Sequence, residues 1–183
     1  MCVEGPTDVV FIERASKIVH EAYPEIPDLK ETASIITIPL GGSDLKNWVK
    51  LNYLKKLRIR EFHIYDSDNR HAHAEECRAV NARGDGSRAV ETAKREIENY
   101  IHSSLIMREF SIDFEVDDTM DVSTVIRNKL LERDAQALRA KVIKRRISEH
   151  CVPDMTLDML RERDPDDEVI GWLRDISNAA AHE

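Results

Sequence analysis

The chain has few cysteines, no long apolar run and no excess of positive charge. Its 183 residues include three cysteines, an odd number at widely separated positions, which argues against a disulfide framework and is typical of reduced thiols. No run approaches the ~18–20 apolar residues that span a bilayer, and the first residues do not form a signal peptide. We therefore expect a cytoplasmic protein with no membrane partner.

The net charge of −8 by itself disfavours nucleic acid as a partner, because phosphate contacts need Lys and Arg. Two observations weaken this exclusion. Carboxylates gathered at a metal site are neutralised by the ions they hold, and the stretch 138–146 is locally basic. The chain also lacks the G-x-x-x-x-G-K-[ST] loop that cradles nucleotide phosphates in ATPases.

The first third of the chain alternates short apolar runs with helical periodicity. We predict strands at Met1–Glu4, Ser34–Leu40 and Phe62–Tyr65, separated by a helix with Thr7 as N-cap and a second helix that Ser43 or Asp44 caps. Apolar strands alternating with helices favour a parallel sheet covered on both faces. The predicted fold class is therefore α/β, a Rossmann-like parallel sheet of about four strands flanked by helices.

The remainder is less regular. We predict an exposed loop over Asn69–Ser87, a helix from Ser87 or Arg88 through Ile101, and a fourth strand over Phe110–Val116. Helical patterns then follow at 125–131, 138–147, 157–160 and 169–176. We expect an α/β domain at 1–116 and a helical subdomain at 117–183.

Acidic residues follow two of the predicted strands. Glu4 ends the first strand, Asp66 and Asp68 follow the third, and Asp8 lies in the first turn of the first helix. Ligands of parallel sheets collect beyond the carboxyl ends of the strands, so we expect these side chains to meet if the two strands are neighbours. Oxygen ligands of this kind suit Mg²⁺ or Mn²⁺.

These motifs resemble those of the Toprim domain, and within it the OLD (overcoming lysogenization defect) nucleases. The segments VEGPTDVVFIE, IPLGGSD, YDSD and REIENYI occur here in that family's order. The resemblance covers residues 1–105 well and the rest only loosely. It implies a DNA endonuclease or nickase of the kind associated with phage defence, which hydrolyses phosphodiester bonds with two Mg²⁺ or Mn²⁺ ions.

The resemblance also implies an architecture and roles for residues. OLD proteins carry an N-terminal ABC-type ATPase, so we expect this chain to be the nuclease part of a longer protein, with homodimerisation through the missing part. A native start at Met1 is the alternative. Glu4 would bind metal and act as base, while Asp8, Asp66 and Asp68 would hold the ions.

Two further positions come from the resemblance with a choice left open. Glu96 and Glu98 are two residues apart on a predicted helix, so only one of them can join the site, and the family motif favours Glu98. The family also has a catalytic lysine on a later helix. We assign it to Lys141, with Lys144 as the alternative, and expect it to offset charge on the phosphate.

Other functions remain open. The same ions could serve a primase-like Toprim domain, or the chain could be a non-catalytic module that binds nucleic acid or protein. The acids could also be mere helix caps and turn residues. The spacing of His71, His73 and Cys77 allows zinc, but no clear fourth ligand accompanies them.

Overall fold

The computed structural model describes residues 1–41, 44–68, 71–134 and 138–181. Within these ranges the strands are β1 Cys2–Val3, β2 Ile38–Pro39, β3 Phe62–Tyr65 and β4 Arg88–Glu91. The α-helices are α1 Pro6–Ala22, α2 Leu45–Leu51, α3 Ala74–Asn81, α4 Ser103–Phe110, α5 Val122–Asp134, α6 Ala140–Arg146, α7 Leu157–Arg163 and α8 Glu168–Ala181. Short 3₁₀ helices lie at Lys55–Leu57, Ile97–Tyr100 and Val152–Asp154, and a π-helical turn lies at Ile147–Cys151.

The four strands form one parallel sheet in the order β2-β1-β3-β4. Cys2 of β1 pairs with Ile38 on one side and with His63 of β3 on the other. The α/β class and the parallel sheet flanked by helices are therefore confirmed. Because β1 and β3 are neighbours, the residues after both strands emerge at the same edge of the sheet.

Alternation along the strands divides the core between the two faces of the sheet. Val3 and Ile64 point into the larger apolar cluster, which α1 and most of the later helices complete. Cys2 and Tyr65 point to the opposite face, where α2 and α3 cover them. All of these strand side chains are nearly inaccessible, as expected for a sheet covered on both faces.

Helix α1 begins two residues earlier than predicted. Gly5, not Thr7, is the N-cap, and Pro6 occupies the first helical position, where its missing N–H costs no hydrogen bond. Asp8 is then the third helical residue, and its Oδ2 accepts the backbone N–H of Gly5 at 2.8 Å. This hydrogen bond draws the Asp8 carboxylate back toward the end of β1.

The interpretation of residues 69–101 was wrong in two places. The predicted loop contains α3, whose single buried stripe of Glu76, Cys77 and Val80 is too narrow to stand out in a polar sequence. The predicted helix from Ser87 or Arg88 begins instead as strand β4, and helical structure appears only at Ile97–Tyr100. Pairing with β3 decided the conformation of β4, and local periodicity carries no information about that partner.

The predicted strand Phe110–Val116 is also absent. Phe110 ends α4, and Ser111 follows in the left-handed conformation at φ 51°. Phe114 and Val116 are buried in the larger cluster without pairing to a strand. Alternation of apolar residues here reflects side-chain burial and not a sheet.

The helical patterns of the last third are confirmed as α5 to α8, while the boundary at residue 117 stays a prediction. Asp44 is the N-cap residue of α2, and Ser43 lies outside the described residues. No helix in the described part of the chain has the length and apolar character needed to cross a membrane.

Candidate metal centre

Glu4 lies immediately after β1 and is held by the neighbouring strand. Its Oε1 accepts the backbone N–H of Asp66, the first residue after β3, at 2.8 Å. Nε2 of His73 lies 3.3 Å from the same oxygen. The two strand ends are therefore joined through a carboxylate, as the sequence predicted from their positions.

Asp66 in turn bonds to the third segment of the site. Its Oδ1 accepts the backbone N–H of Ile97 at 3.0 Å, which brings the start of the 3₁₀ helix Ile97–Tyr100 to the end of β3. As a result, one carboxylate oxygen from each of Asp66, Glu96 and Glu98 lies within 4.8 Å of the others. Glu96 and Glu98 are 5% and 4% exposed, so this is a largely buried acidic cluster.

Lys144 of α6 provides a cation for this cluster. Its Nζ lies 2.9 Å from Oε2 of Glu96 and 3.1 Å from Oε2 of Glu98. The other oxygen of Glu96 accepts the backbone N–H of Val122, at the start of α5. The cluster therefore ties together the sheet edge, α5 and α6.

The carboxylates carry more negative charge than one ammonium can offset. Burial, followed by the carboxylates of Asp8 and Glu98, raises the pKa of Asp66 well above its usual range. Burial likewise raises the pKa of Glu4 and of Asp8, and the pKa of Glu98 rises for the same reason although Lys144 opposes it. Like charges held together at low dielectric cannot all ionise without additional cations.

Lys144 responds in the opposite sense. Burial by itself lowers the pKa of its ammonium, but the carboxylates of Glu98 and Glu96 outweigh burial and raise the pKa above its usual value. Lys144 is thus a fixed positive charge at the edge of the acidic cluster.

The lysine that reaches the acidic cluster lies one helical turn from the one assigned from the sequence. Lys141, to which sequence reasoning assigned the role, is exposed on α6, whereas Lys144 reaches the glutamates. Burial of Ile143 and Ile147 sets the rotation of this helix and the following turn. Leu138 packs against the core but precedes α6, which begins at Ala140, so it does not set the rotation of the helix.

The argument that excluded Glu96 was also wrong. It assumed an α-helix through both glutamates, but Glu96 is the extended N-cap residue of the 3₁₀ helix, with φ −151° and ψ 166°. In that conformation the side chains of Glu96 and Glu98 turn to the same ammonium. Both belong to the cluster, and the sequence signal that could have shown this is the Glu-x-x-Asn cap formed with Asn99.

Asp68 occupies the outer rim of the site. It is exposed, has φ 48°, and donates its backbone N–H to the carbonyl of Arg95 at 2.9 Å. Aspartate tolerates this left-handed conformation better than most residues. Its carboxylate is close enough to Glu4 to contribute to the raised pKa of Glu4.

The acidic side chains of the cluster could hold hard divalent cations. The side chains offer hard carboxylate oxygens, and their summed negative charge exceeds the positive charge of Lys144. Burial and mutual repulsion raise their pKa values. Hard divalent cations prefer such oxygen ligands, and their charge removes the repulsion. The residues that would hold them are Asp66, Glu96 and Glu98, with Glu4 and Asp8 close enough to Asp66 to raise its pKa and Asp68 at the rim.

A second group of possible ligands, Cys2, Glu61 and His63, lies beneath the sheet. Here Glu61 is already satisfied, since its oxygens bind Nη1 of Arg83 at 2.7 Å and Nε1 of Trp48 at 2.6 Å. Nε2 of His63 lies 3.0 Å from the same carboxylate. This group is a buried polar network with its own cation, and it does not need a metal.

Comparison with known proteins gives no relative: no family model, no curated protein and no solved structure matches the chain.

Proposed function

We propose that this protein is a nuclease that hydrolyses DNA phosphodiester bonds with two Mg²⁺ or Mn²⁺ ions. The observation that carries the proposal is the cluster of Asp66, Glu96 and Glu98 beyond the carboxyl end of β3. Glu4, from the end of β1, accepts the backbone N–H of Asp66 beside it. Sites at this edge of a parallel sheet are where ligands bind. The acidic cluster together with one fixed lysine matches the requirements of phosphoryl transfer, in which charge must be placed around a phosphate.

The roles proposed for the carboxylates are those that the family resemblance implies. Asp8, Asp66 and Glu98 would hold the ions, and Glu4 would bind metal and act as the base. Bound divalent ions would supply a reactive water at neutral pH and stabilise charge on the phosphate. Lys144 keeps its ammonium charged at the edge of the cluster, where it can offset negative charge that develops on the phosphate.

The exposed part of α6 supports a nucleic-acid substrate. Lys141 and Arg145 are exposed on the helix that carries Lys144, so positive charge continues outward from the cluster. Phosphates beside the reacting bond could be held there despite the net charge of −8. We propose this role for Lys141 in place of the catalytic one.

The wider assignment belongs to the same proposal. The order of the acidic motifs and the parallel sheet are consistent with a Toprim domain of the OLD kind, preceded in the whole protein by an ABC-type ATPase through which it would dimerise. A cytoplasmic location agrees with three cysteines that are all free and buried.

Cleavage of supercoiled plasmid tests the proposal. We expect nicking or linearisation that needs Mn²⁺ or Mg²⁺ and stops with EDTA, and we expect Mn²⁺ to be the better ion because Mg²⁺ demands near-ideal octahedral geometry. Asp66→Asn should lower the rate by more than about 10²-fold, since losing a ligand costs more than losing a ligand's partner. Asp158→Asn, which changes an exposed carboxylate of α7, is the matched control.

Four outcomes would contradict the proposal. Cleavage that resists EDTA would show that the reaction does not need a metal ion. Equal cleavage rates for Asp66→Asn and wild type would show that the reaction takes place at another site. Retention of DNA in a gel-shift assay without any cleavage would favour the non-catalytic module. Nucleotide incorporation on a primed template would favour the primase-like reading.

A further inference from the structure

His73 precedes α3 and reaches across to the candidate metal centre. Its Nε2 lies 3.3 Å from Oε1 of Glu4, and its side chain is 13% exposed. The other ring nitrogen, Nδ1, is buried and makes no hydrogen bond within the described part of the chain. Nδ1 lies 3.9 Å from Oε2 of Glu76, so Nε2 is the ring nitrogen that approaches a carboxylate more closely.

The ring is held in place by two contacts. The backbone N–H of His73 donates to Oε1 of Glu91 at 2.9 Å, which anchors the segment to the end of β4. The imidazole packs on Tyr65 with ring centroids 5.2 Å apart. Tyr65 is itself fully buried at the end of β3, so the imidazole has a rigid support.

The two carboxylate oxygens of Glu4 have different surroundings. The backbone N–H of Asp66 and Nε2 of His73 both approach Oε1. Among the described residues, Oε2 therefore stays available for a cation or a water. A carboxylate fixed through one oxygen presents the other in a defined direction, as partners of metal ligands commonly ensure.

We propose that His73 is a positioning residue that orients Glu4 toward the divalent cations. The inference rests on the proposed function, because Glu4 needs orienting only if it binds an ion. In this proposal His73 acts on the ions through Glu4. Neither the spacing of His73 in the sequence nor its polar surroundings pointed to this role.

Calorimetric titration with Mn²⁺ tests the proposal without any measurement of activity. His73→Leu removes the ring nitrogen that faces Glu4, and we expect it to weaken Mn²⁺ binding by about 10- to 100-fold, the usual cost of losing a ligand's partner. His73→Gln keeps an N–H donor of similar reach and should recover most of the affinity. His150→Leu is the control, because it removes another histidine–glutamate contact, 2.9 Å to Glu109, on an exposed surface.

A double variant separates positioning from general disruption. In a Glu4→Gln background, His73→Leu should cause no further loss of Mn²⁺ affinity, since the two residues act through one contact. Equal losses in both backgrounds would overturn the inference. If His73→Leu does not fold by circular dichroism, His73→Phe, which retains a ring against Tyr65, replaces it in the same comparison.

The results also separate this inference from the proposed function. If the wild type binds no Mn²⁺, both fail. If the wild type binds Mn²⁺ and His73→Leu binds it equally well, only the role of His73 fails. If His73→Leu binds less tightly but the wild type cuts no DNA, the role of His73 stands and the nuclease proposal fails.

Discussion

Lys144→Met removes the positive charge that contacts the acidic cluster. Lys141→Met is its control, because it removes a positive charge from the exposed surface of the same helix one turn earlier. Nζ of Lys144 lies 2.9 Å and 3.1 Å from Glu96 and Glu98. At an effective dielectric constant of about 20, each contact carries a gross attraction of about 5 kcal/mol. Desolvation of the three charges cancels most of this sum.

The net effect on stability follows from the charge left behind. Removing one partner of a buried ion pair costs about 3–5 kcal/mol. The Lys144 side chain is 31% exposed, and the glutamates can take up a proton, so we expect Lys144→Met to lower the free energy of unfolding by about 3 kcal/mol at pH 7. Lys141→Met should change it by less than about 0.5 kcal/mol.

The pH dependence has a definite sign. Burial, followed by the carboxylate of Glu98, raises the folded-state pKa of Glu96 above its ordinary 4.5, and removing the ammonium raises it further. A folded state that binds more protons than the unfolded state gains stability as the pH falls toward the unfolded pKa. The deficit of Lys144→Met should therefore shrink between pH 8 and pH 5.

Urea denaturation of the three proteins across that range, without divalent ions, measures the effect, and plasmid cleavage with Mn²⁺ follows the activity. We expect Lys144→Met to cut about 10²–10³-fold more slowly and Lys141→Met to stay close to wild type at saturating DNA. If Lys141→Met is the inactive variant, or if Lys144→Met is as stable as wild type at pH 7, the placement of the lysine is refuted.

Two further predictions concern the core outside the site. Burial by itself would raise the pKa of Glu61, but hydrogen bonds from His63 and Trp48 and the charge of Arg83 lower it to about 2. The contribution of Glu61 to the free energy of unfolding should therefore be complete above about pH 4.5 and be lost as the pH falls toward 2. Urea denaturation should show this loss for the wild type but not for Glu61→Gln, and parallel curves would contradict it. Burial raises the pKa of Cys2, Cys77 and Cys151 to about 12, so an aromatic disulfide reagent at pH 8 should label none of them before unfolding and all three after it. Rapid labelling of a native thiol would show that the surrounding core opens.

The first half of the fold could be predicted because its signals are local. The helical spacing of Phe11, Ala15 and Ile18 marks α1, and β-branched or aromatic runs mark the strands that alternate with it. Connections between parallel strands are constrained, so the alternation also indicates a parallel sheet. What local signals missed was β4, whose four residues become a strand only by pairing with β3.

The candidate site could likewise be predicted only in part from the sequence. That Glu4 and Asp66 share one sheet edge followed from their places at strand ends and from the neighbourhood of β1 and β3. The later members depended on contacts between segments far apart in sequence. Lys144 lies 46 residues from Glu98, and His73 lies 69 residues from Glu4.

The sequence by itself determined the class of fold, the edge of the sheet where acidic residues gather and the oxygen-rich character of that site, because each depends on residue type and short-range period. Only the tertiary structure decided which glutamates and which lysine belong to the acidic cluster. A helical sequence pattern leaves the rotation of α6 uncertain, so it does not distinguish Lys141 from Lys144 one turn later. As the extended N-cap of a 3₁₀ helix, Glu96 points its side chain to the same ammonium as Glu98, which an α-helix would not allow. Packing of Ile143 and Ile147 into the core selects Lys144, and the support of Tyr65 brings His73 to Glu4.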